Sequence, residues 1–240
     1  MQTVHAQRSQ AQSGIRVNTF IRSVYNWMAA GLAITGFLAY ITAHSALATV
    51  IRSSGLMIIL IIAELALVFY LSARINRMKA STATGLFVSY SALNGITLST
   101  IFFVYNESII ASTFFICAAT FLACSVYGMV TKRDLTGLGG FMMMGLMGII
   151  IASIVNFMLA MFTSFDTTGL SMIISYIGVL VFIGLTAYDT QKLKHMAISQ
   201  PAGISQDVVR KGTIIGALTL YLDFINLFLF LLRIFGGGRD

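Results

Sequence analysis

The chain has 240 residues, 58% of them hydrophobic and only 10% charged, with a mean hydropathy of +0.89. Soluble domains carry about 25% charge, and a soluble fold of this size has no interior large enough for so much apolar surface, so lipid must solvate much of it. The net charge of +7 is scattered between apolar runs. It forms no basic stripe or binding module, which excludes nucleic acid as a partner.

Taken in order, residues 1–23 are polar, with Arg8, Arg16 and Arg22 and no acidic residue. They loosely resemble a targeting leader and read as a short cytoplasmic tail. Seven apolar runs follow, at 24–44, 56–73, 83–105, 109–130, 141–163, 170–188 and 213–235. Each approaches or exceeds the roughly 20 residues that cross a hydrocarbon core about 30 Å thick. Backbone groups in lipid must find partners within their own segment, so each run is predicted to be a helix. The alternation of barrel strands is absent. The fold class is therefore all-α integral membrane: one domain at 24–235 between the N-terminal tail and a short C-terminal tail at 236–240.

Within this frame, Tyr25 and Trp27 fit an interfacial belt at the first span. Glu64 falls in the middle of the second span, with Arg74, Arg77 and Lys79 just after it. Only residues 106–108 separate the third and fourth spans, which predicts a tight hairpin. Cys117 and Cys124 share one face of the fourth span, too far apart along the axis to bond each other. They form no disulfide framework or metal spacing and read as packing residues. Met142, Met143, Met144 and Met147 open the fifth span as adaptable packing.

The sixth span is expected to end at Asp189, and residues 189–212 form the longest connection, holding the sole proline, Pro201. No loop can house a nucleotide-binding domain, and no glycine-rich phosphate loop or zinc motif is present. Gly212 and Gly216 form a small-residue pair that permits close helix approach. His5, His44 and His195 lie in the tail or at span edges and read as surface residues.

Twelve Lys and Arg residues fall on the side of the N-terminal tail, against three (Arg52, Arg233 and Arg239) on the other. This split predicts a cytoplasmic N-terminus and an external C-terminus. An even number of spans would destroy the bias.

Ionisable groups within the spans are the informative residues, since an aspartate at a helix centre costs about 3 kcal/mol to insert. Asp223 lies mid-span, with Asn226 three residues on and on the same face. It reads either as a site lining a protein interior or as one end of a helix-helix hydrogen bond. Asp189, one turn after Thr186, reads either as a site residue or as an interfacial charge paired with Lys192. Glu64 either keeps its proton or pairs across helices. If Asp189 and Asp223 meet, the two cannot both ionise cheaply. They would share a proton and titrate in two separated steps, a pH-sensitive element without histidine.

The segment Gly184-Leu185-Thr186-Ala187-Tyr188-Asp189-Thr190-Gln191-Lys192-Leu193-Lys194 resembles the signature of the Bax inhibitor-1 (transmembrane Bax inhibitor motif) family. The stretch from Gly216 through Leu220-Tyr221-Leu222-Asp223-Phe224-Ile225-Asn226 to Phe228 is similar to that family's final span. The short tails and compact loops resemble its bacterial members of the YbhL and YccA type. The resemblance implies a seven-helix fold with the last helix central and a pH-sensing pair, Asp189 with Asp223, that gates a calcium leak. It also implies a basic latch, Arg74 with Arg77 as the fallback, and a contribution of Glu64 to the ion path.

The leading expectation is accordingly a pH-sensitive calcium or cation leak channel in a bacterial inner membrane. It would have no cofactor and no firmly bound metal, with Ca2+ as the permeant ion, transient at Asp189 and Asp223, and with lipid and protons as its other partners. The alternative is a modulator of a membrane protease or other partner protein, with the basic N-terminal tail as the handle. The family also includes eukaryotic regulators of cell death, a role disfavoured here because the chain lacks a long charged C-terminal tail. An enzyme is not expected. Intramembrane aspartyl proteases carry Gly-x-Gly-Asp where this chain has Leu220-Tyr221-Leu222-Asp223, and their Pro-Ala-Leu element is missing. A transporter with broken helices is disfavoured because no span contains proline.

Overall fold

The computed structural model describes residues 2–53, 55–163, 166–201 and 203–237. The side chains of residues 2–16, 52 and 53, and all of residues 238–240, fall outside that description. The expectations placed on His5, Arg8, Arg16, Arg52 and Arg239 lie there too. The described residues form helices α1 (Gln2–Ala43), α2 (Leu47–Ser53), α3 (Leu56–Arg74), α4 (Ala80–Leu98), α5 (Ile101–Val104), α6 (Glu107–Val130), α7 (Thr136–Phe162), α8 (Thr168–Ile198) and α9 (Gln206–Gly236), with no strand among them. Seven segments are long and apolar enough to cross a membrane: Val17–Ala43, Leu56–Arg77, Ala80–Val104, Glu107–Val130, Thr136–Phe162, Thr168–Ile198 and Gln206–Gly236. The all-α membrane class and the seven spans therefore stand.

Several boundaries differ from expectation, each for a physical reason. The predicted N-terminal tail is helical from Gln2, and the first span opens at Val17, because Phe20, Ile21 and Val24 are buried. The sixth span does not end at Asp189. Helix α8 runs nine residues further, to Ile198, so the connection to α9 shrinks to residues 199–205. Hydropathy drops at Asp189, but Thr190, Gln191, Leu193 and Ala197 are all buried, and a polar residue with protein partners has no reason to end a helix.

Burial separates the helices sharply. The α3 span is only 11% buried and the α9 span 67%, the most of the seven. That depth is what the family resemblance leads one to expect of the last helix. On α3 only Glu64 and Leu71 are buried, while Ile58, Ile62, Leu65 and Phe69 are exposed, an apolar face suited to lipid. Met143, Met144 and Met147 of α7 are likewise exposed. The methionine run is thus a lipid face rather than packing. Only Met142 packs inward, close enough to Gly184 of α8 that an added Cβ there would lie 2.6 Å from its sulfur.

The chain divides into two compact units. Unit 1 comprises residues 1–105 and 193–221. In it α1 and α4 approach backbone to backbone: a Cβ on Gly95 would lie 2.6 Å from the Thr35 carbonyl oxygen. Gly216 of α9 is held against Leu193, at 2.7 Å by the same measure, whereas Gly212 makes ordinary contacts only. Half of the expected glycine pair therefore serves close packing. The start of α9 is fastened to α4, where the Ala80 N–H donates to Asp207 Oδ1 (3.3 Å); Asp207 also pairs with Lys211 at 3.6 Å.

Unit 2 comprises residues 106–192 and 222–240. Two of its helices are entered through aspartate turns. Asp134 Oδ1 accepts from the Thr136 N–H and Asp166 Oδ1 from the Thr168 N–H, both at 2.9 Å, which satisfies donors that a helix start leaves open. The hydrogen bonds from the Thr168 side chain and backbone hold the Asp166 carboxyl below the usual carboxylate range. Phe224 of α9 sits between Phe114 and Phe121 of α6, ring centroids 5.5 Å away in each case. Cys117, buried on the same helix, points its thiol at the Phe224 carbonyl (3.6 Å). Cys117 and Cys124 are both free thiols.

Candidate functional site

The tetrapeptide Tyr188-Asp189-Thr190-Gln191 of α8 is anchored almost residue by residue within unit 2. Tyr188 lies on Gly139 of α7, where a Cβ would meet its ring at 2.5 Å, and Lys192 sits 5.9 Å above the ring centroid. Thr190 donates to Ser125 Oγ of α6 at 3.4 Å. Gln191 bridges the turn between α6 and α7. Its Nε2 donates to the Arg133 carbonyl and its Oε1 accepts from the Leu135 N–H, both at 2.8 Å. Gly128 of α6 completes the seat: a Cβ there would collide with the Ala187 carbonyl. Substituting Gly128→Val is expected to cost about 1–3 kcal/mol by forcing α6 from α8, readable as a lower unfolding temperature of the purified protein in detergent.

This seat fixes Asp189 on α8 so that its carboxyl and that of Asp223 on α9 are electrostatic neighbours. Asp223 is 5% exposed, and its Oδ2 is buried without a hydrogen-bond partner. Asp189 is half-buried, with Lys192, three residues on, as a cationic neighbour. Asn226, three residues on along the same helix, does not hydrogen-bond Asp223. Its Nδ2 donates to the Leu222 carbonyl one turn back (2.8 Å), the local bond that competes when an amide sits on an apolar helix.

Glu64 belongs to unit 1 and heads a second polar cluster. Thr97 Oγ1 donates to Glu64 Oε1, and Asn94 Nδ2 donates to Oε2 at 3.2 Å. Asn94 Oδ1 accepts from the Tyr221 hydroxyl (3.1 Å), which also lies 2.6 Å from Thr35 Oγ1. Thr35 Oγ1 donates in turn to the Ser91 carbonyl (2.8 Å). Glu64 is thus paired across helices, the second of its two expected readings. Arg74 and Arg77 are exposed and have no ion pair among the described residues.

Sequence reasoning had singled out Asp189, Asp223 and Glu64. It missed Thr190, Gln191 and Gly128 around the first and Asn94, Thr97 and Tyr221 around the second. Only the family-like stretches carried any signal of them, Thr190-Gln191 in one and Tyr221 in the other. No cluster of three or more His, Cys, Asp or Glu suited to a metal occurs among the described residues.

The family model described as "Inhibitor of apoptosis-promoting Bax1" matches residues 17–240. The chain belongs to the Bax inhibitor-1 family. Among its relatives is the inner membrane protein YbhL of Escherichia coli, 50% identical over 232 residues, which cover 96% of this chain and 95% of the relative. An uncharacterized protein of Deinococcus radiodurans is 44% identical over 225 residues, covering 94% and 93%. One from Rickettsia prowazekii is 43% identical over 222 residues, covering 92% and 90%. The resemblance drawn from the two aspartate motifs thus extends over nearly the whole chain, and both aspartates of this Bax inhibitor-1 family member lie on the two most buried spans.

Proposed function

We propose that this membrane protein is a proton-regulated cation leak, with calcium as the permeant ion and the Asp189–Asp223 pair as its gate. The observation that carries the reading is a buried carboxyl, that of Asp223, with an unpartnered oxygen and a second carboxyl as its electrostatic neighbour. Such a group is expensive in a bilayer and is kept where it has a task. When charged, the pair attracts a cation. Protonation weakens that attraction and shifts the balance between closed and open packing. A tenfold shift needs only about 1.4 kcal/mol.

Oxygen ligands suit calcium, and two carboxylates supply fewer than the six to eight oxygens that a resident ion takes, which favours transit over storage. The reading places the protein in the inner membrane, as the name of its Escherichia coli relative says of that protein, with the N-terminus in the cytoplasm on the strength of the positive-inside bias. The test is calcium flux into liposomes containing the purified protein, recorded across a pH series. Wild type is expected to show pH-dependent flux and Asp223→Ala to lose the dependence. A wild-type response in Asp223→Ala would defeat the proposal.

A further inference from the structure

Unit 2 contains a polar cavity that the aspartate pair does not use. Its volume is about 270 Å³, and Ser153, Asn156 and Phe157 of α7, Ser171 of α8 and Arg233 of α9 line it. Asn156 lies six residues before the end of α7, Ser171 three after the start of α8, and Arg233 three before the end of α9. At 1.5 Å per residue these positions are about 5–9 Å inside the helix ends, near one edge of the membrane-crossing segments.

The polar groups there are incompletely used. Asn156 Nδ2 donates to Ser171 Oγ at 2.8 Å, but Asn156 Oδ1 is buried with no partner. Arg233 has no ion pair among the described residues. An arginine at this depth reaches for phosphate, and a buried amide oxygen left open is unfavourable until a donor arrives. The rim is apolar at Phe157, which is 59% exposed, so a bound molecule would continue along hydrocarbon.

We propose that this cavity binds a membrane phospholipid through its phosphodiester, held by Arg233, and through a headgroup O–H or N–H that donates to Asn156 Oδ1. The orphaned acceptor sets the specificity. Glycerol and ethanolamine headgroups carry such a donor. Choline, with three methyl groups on its nitrogen, does not.

The test is native mass spectrometry of the detergent-purified protein with added phosphatidylglycerol, phosphatidylethanolamine or phosphatidylcholine, and separately with inorganic phosphate. The first two lipids should be retained about five- to tenfold better than phosphatidylcholine, the worth of one hydrogen bond. Asn156→Leu should remove that preference while still binding lipid, and Arg233→Gln should weaken all three. Unchanged unfolding temperatures would show that both variants fold. If a variant is destabilised, Ser153→Ala supplies a milder probe of the same wall, with a smaller loss expected. Equal retention of the three lipids by wild type would overturn the proposal, as would lipid binding unaffected by Arg233→Gln. Displacement of the lipid by inorganic phosphate would assign the site to a free anion and overturn it too.

Discussion

Asparagine at position 189, at position 223, or at both should flatten the pH response of calcium flux to the same extent. Asparagine has the shape of a protonated aspartic acid and cannot be charged. Each variant should therefore behave at every pH as wild type behaves when acid, with at least a tenfold loss in the flux ratio across the titration, the equivalent of about 1.4 kcal/mol. The equality of single and double variants is the informative part. Independent sites add their free energies, whereas two carboxyls titrating as one unit lose the unit when either is removed. Flux assays of the two single variants and the double variant close this cycle. A double variant whose effect is the sum of the singles in free energy would separate the two aspartates and remove the pair from the mechanism. Asp207→Asn is the control: its carboxylate pairs with Lys211 at a mainly exposed position, where such a contact is worth little, so its flux profile should match wild type.

The spans were legible because lipid imposes a crude requirement, about 20 apolar residues, and composition meets it or fails. The same crudeness hid where helices end. Hydropathy registers how a residue partitions between water and lipid. Thr190 and Gln191 contact neither, being buried against α6 and the turn after it. An apolar run therefore stopped at Asp189 although the helix did not. The candidate aspartates were visible because a charge inside a span stands out against its neighbours. Their supports were not visible, since serine, threonine, glycine and tyrosine cost little in a membrane helix wherever they occur. Gly128 and Tyr221 acquire meaning only from what lies opposite them in space. Asn226 misled for a related reason: helical spacing gives the face of a residue but not whether its amide turns to a neighbour or to its own backbone.

The Glu64 cluster yields the second large effect, and stability separates its structural role from its functional one. Asn94 holds the centre, donating to Glu64 and accepting from Tyr221. Asn94→Leu strips a partner from each, leaving a buried carboxyl and a buried phenol short of bonds. Leaving a buried donor or acceptor without its partner costs about 1–3 kcal/mol, against about 0.6 kcal/mol for an average hydrogen bond between membrane helices. The expected loss is therefore at the upper end, about 3 kcal/mol, measured by reversible unfolding in mixed micelles. Glu64→Gln keeps the size of the side chain and a hydrogen-bonding group for each neighbour, so it should cost less than about 1 kcal/mol. Replacing both Glu64 and Asn94 by leucine should recover the share of the loss due to Glu64, since an apolar exchange of both partners of a buried hydrogen bond can be nearly neutral, while Tyr221 stays one bond short. If Glu64 also lies on the ion path, Glu64→Gln will lower calcium flux while leaving unfolding nearly unchanged. If the cluster only joins helices, flux in that variant will stay at the wild-type level, and Asn94→Leu will reduce it only as far as it reduces the folded fraction.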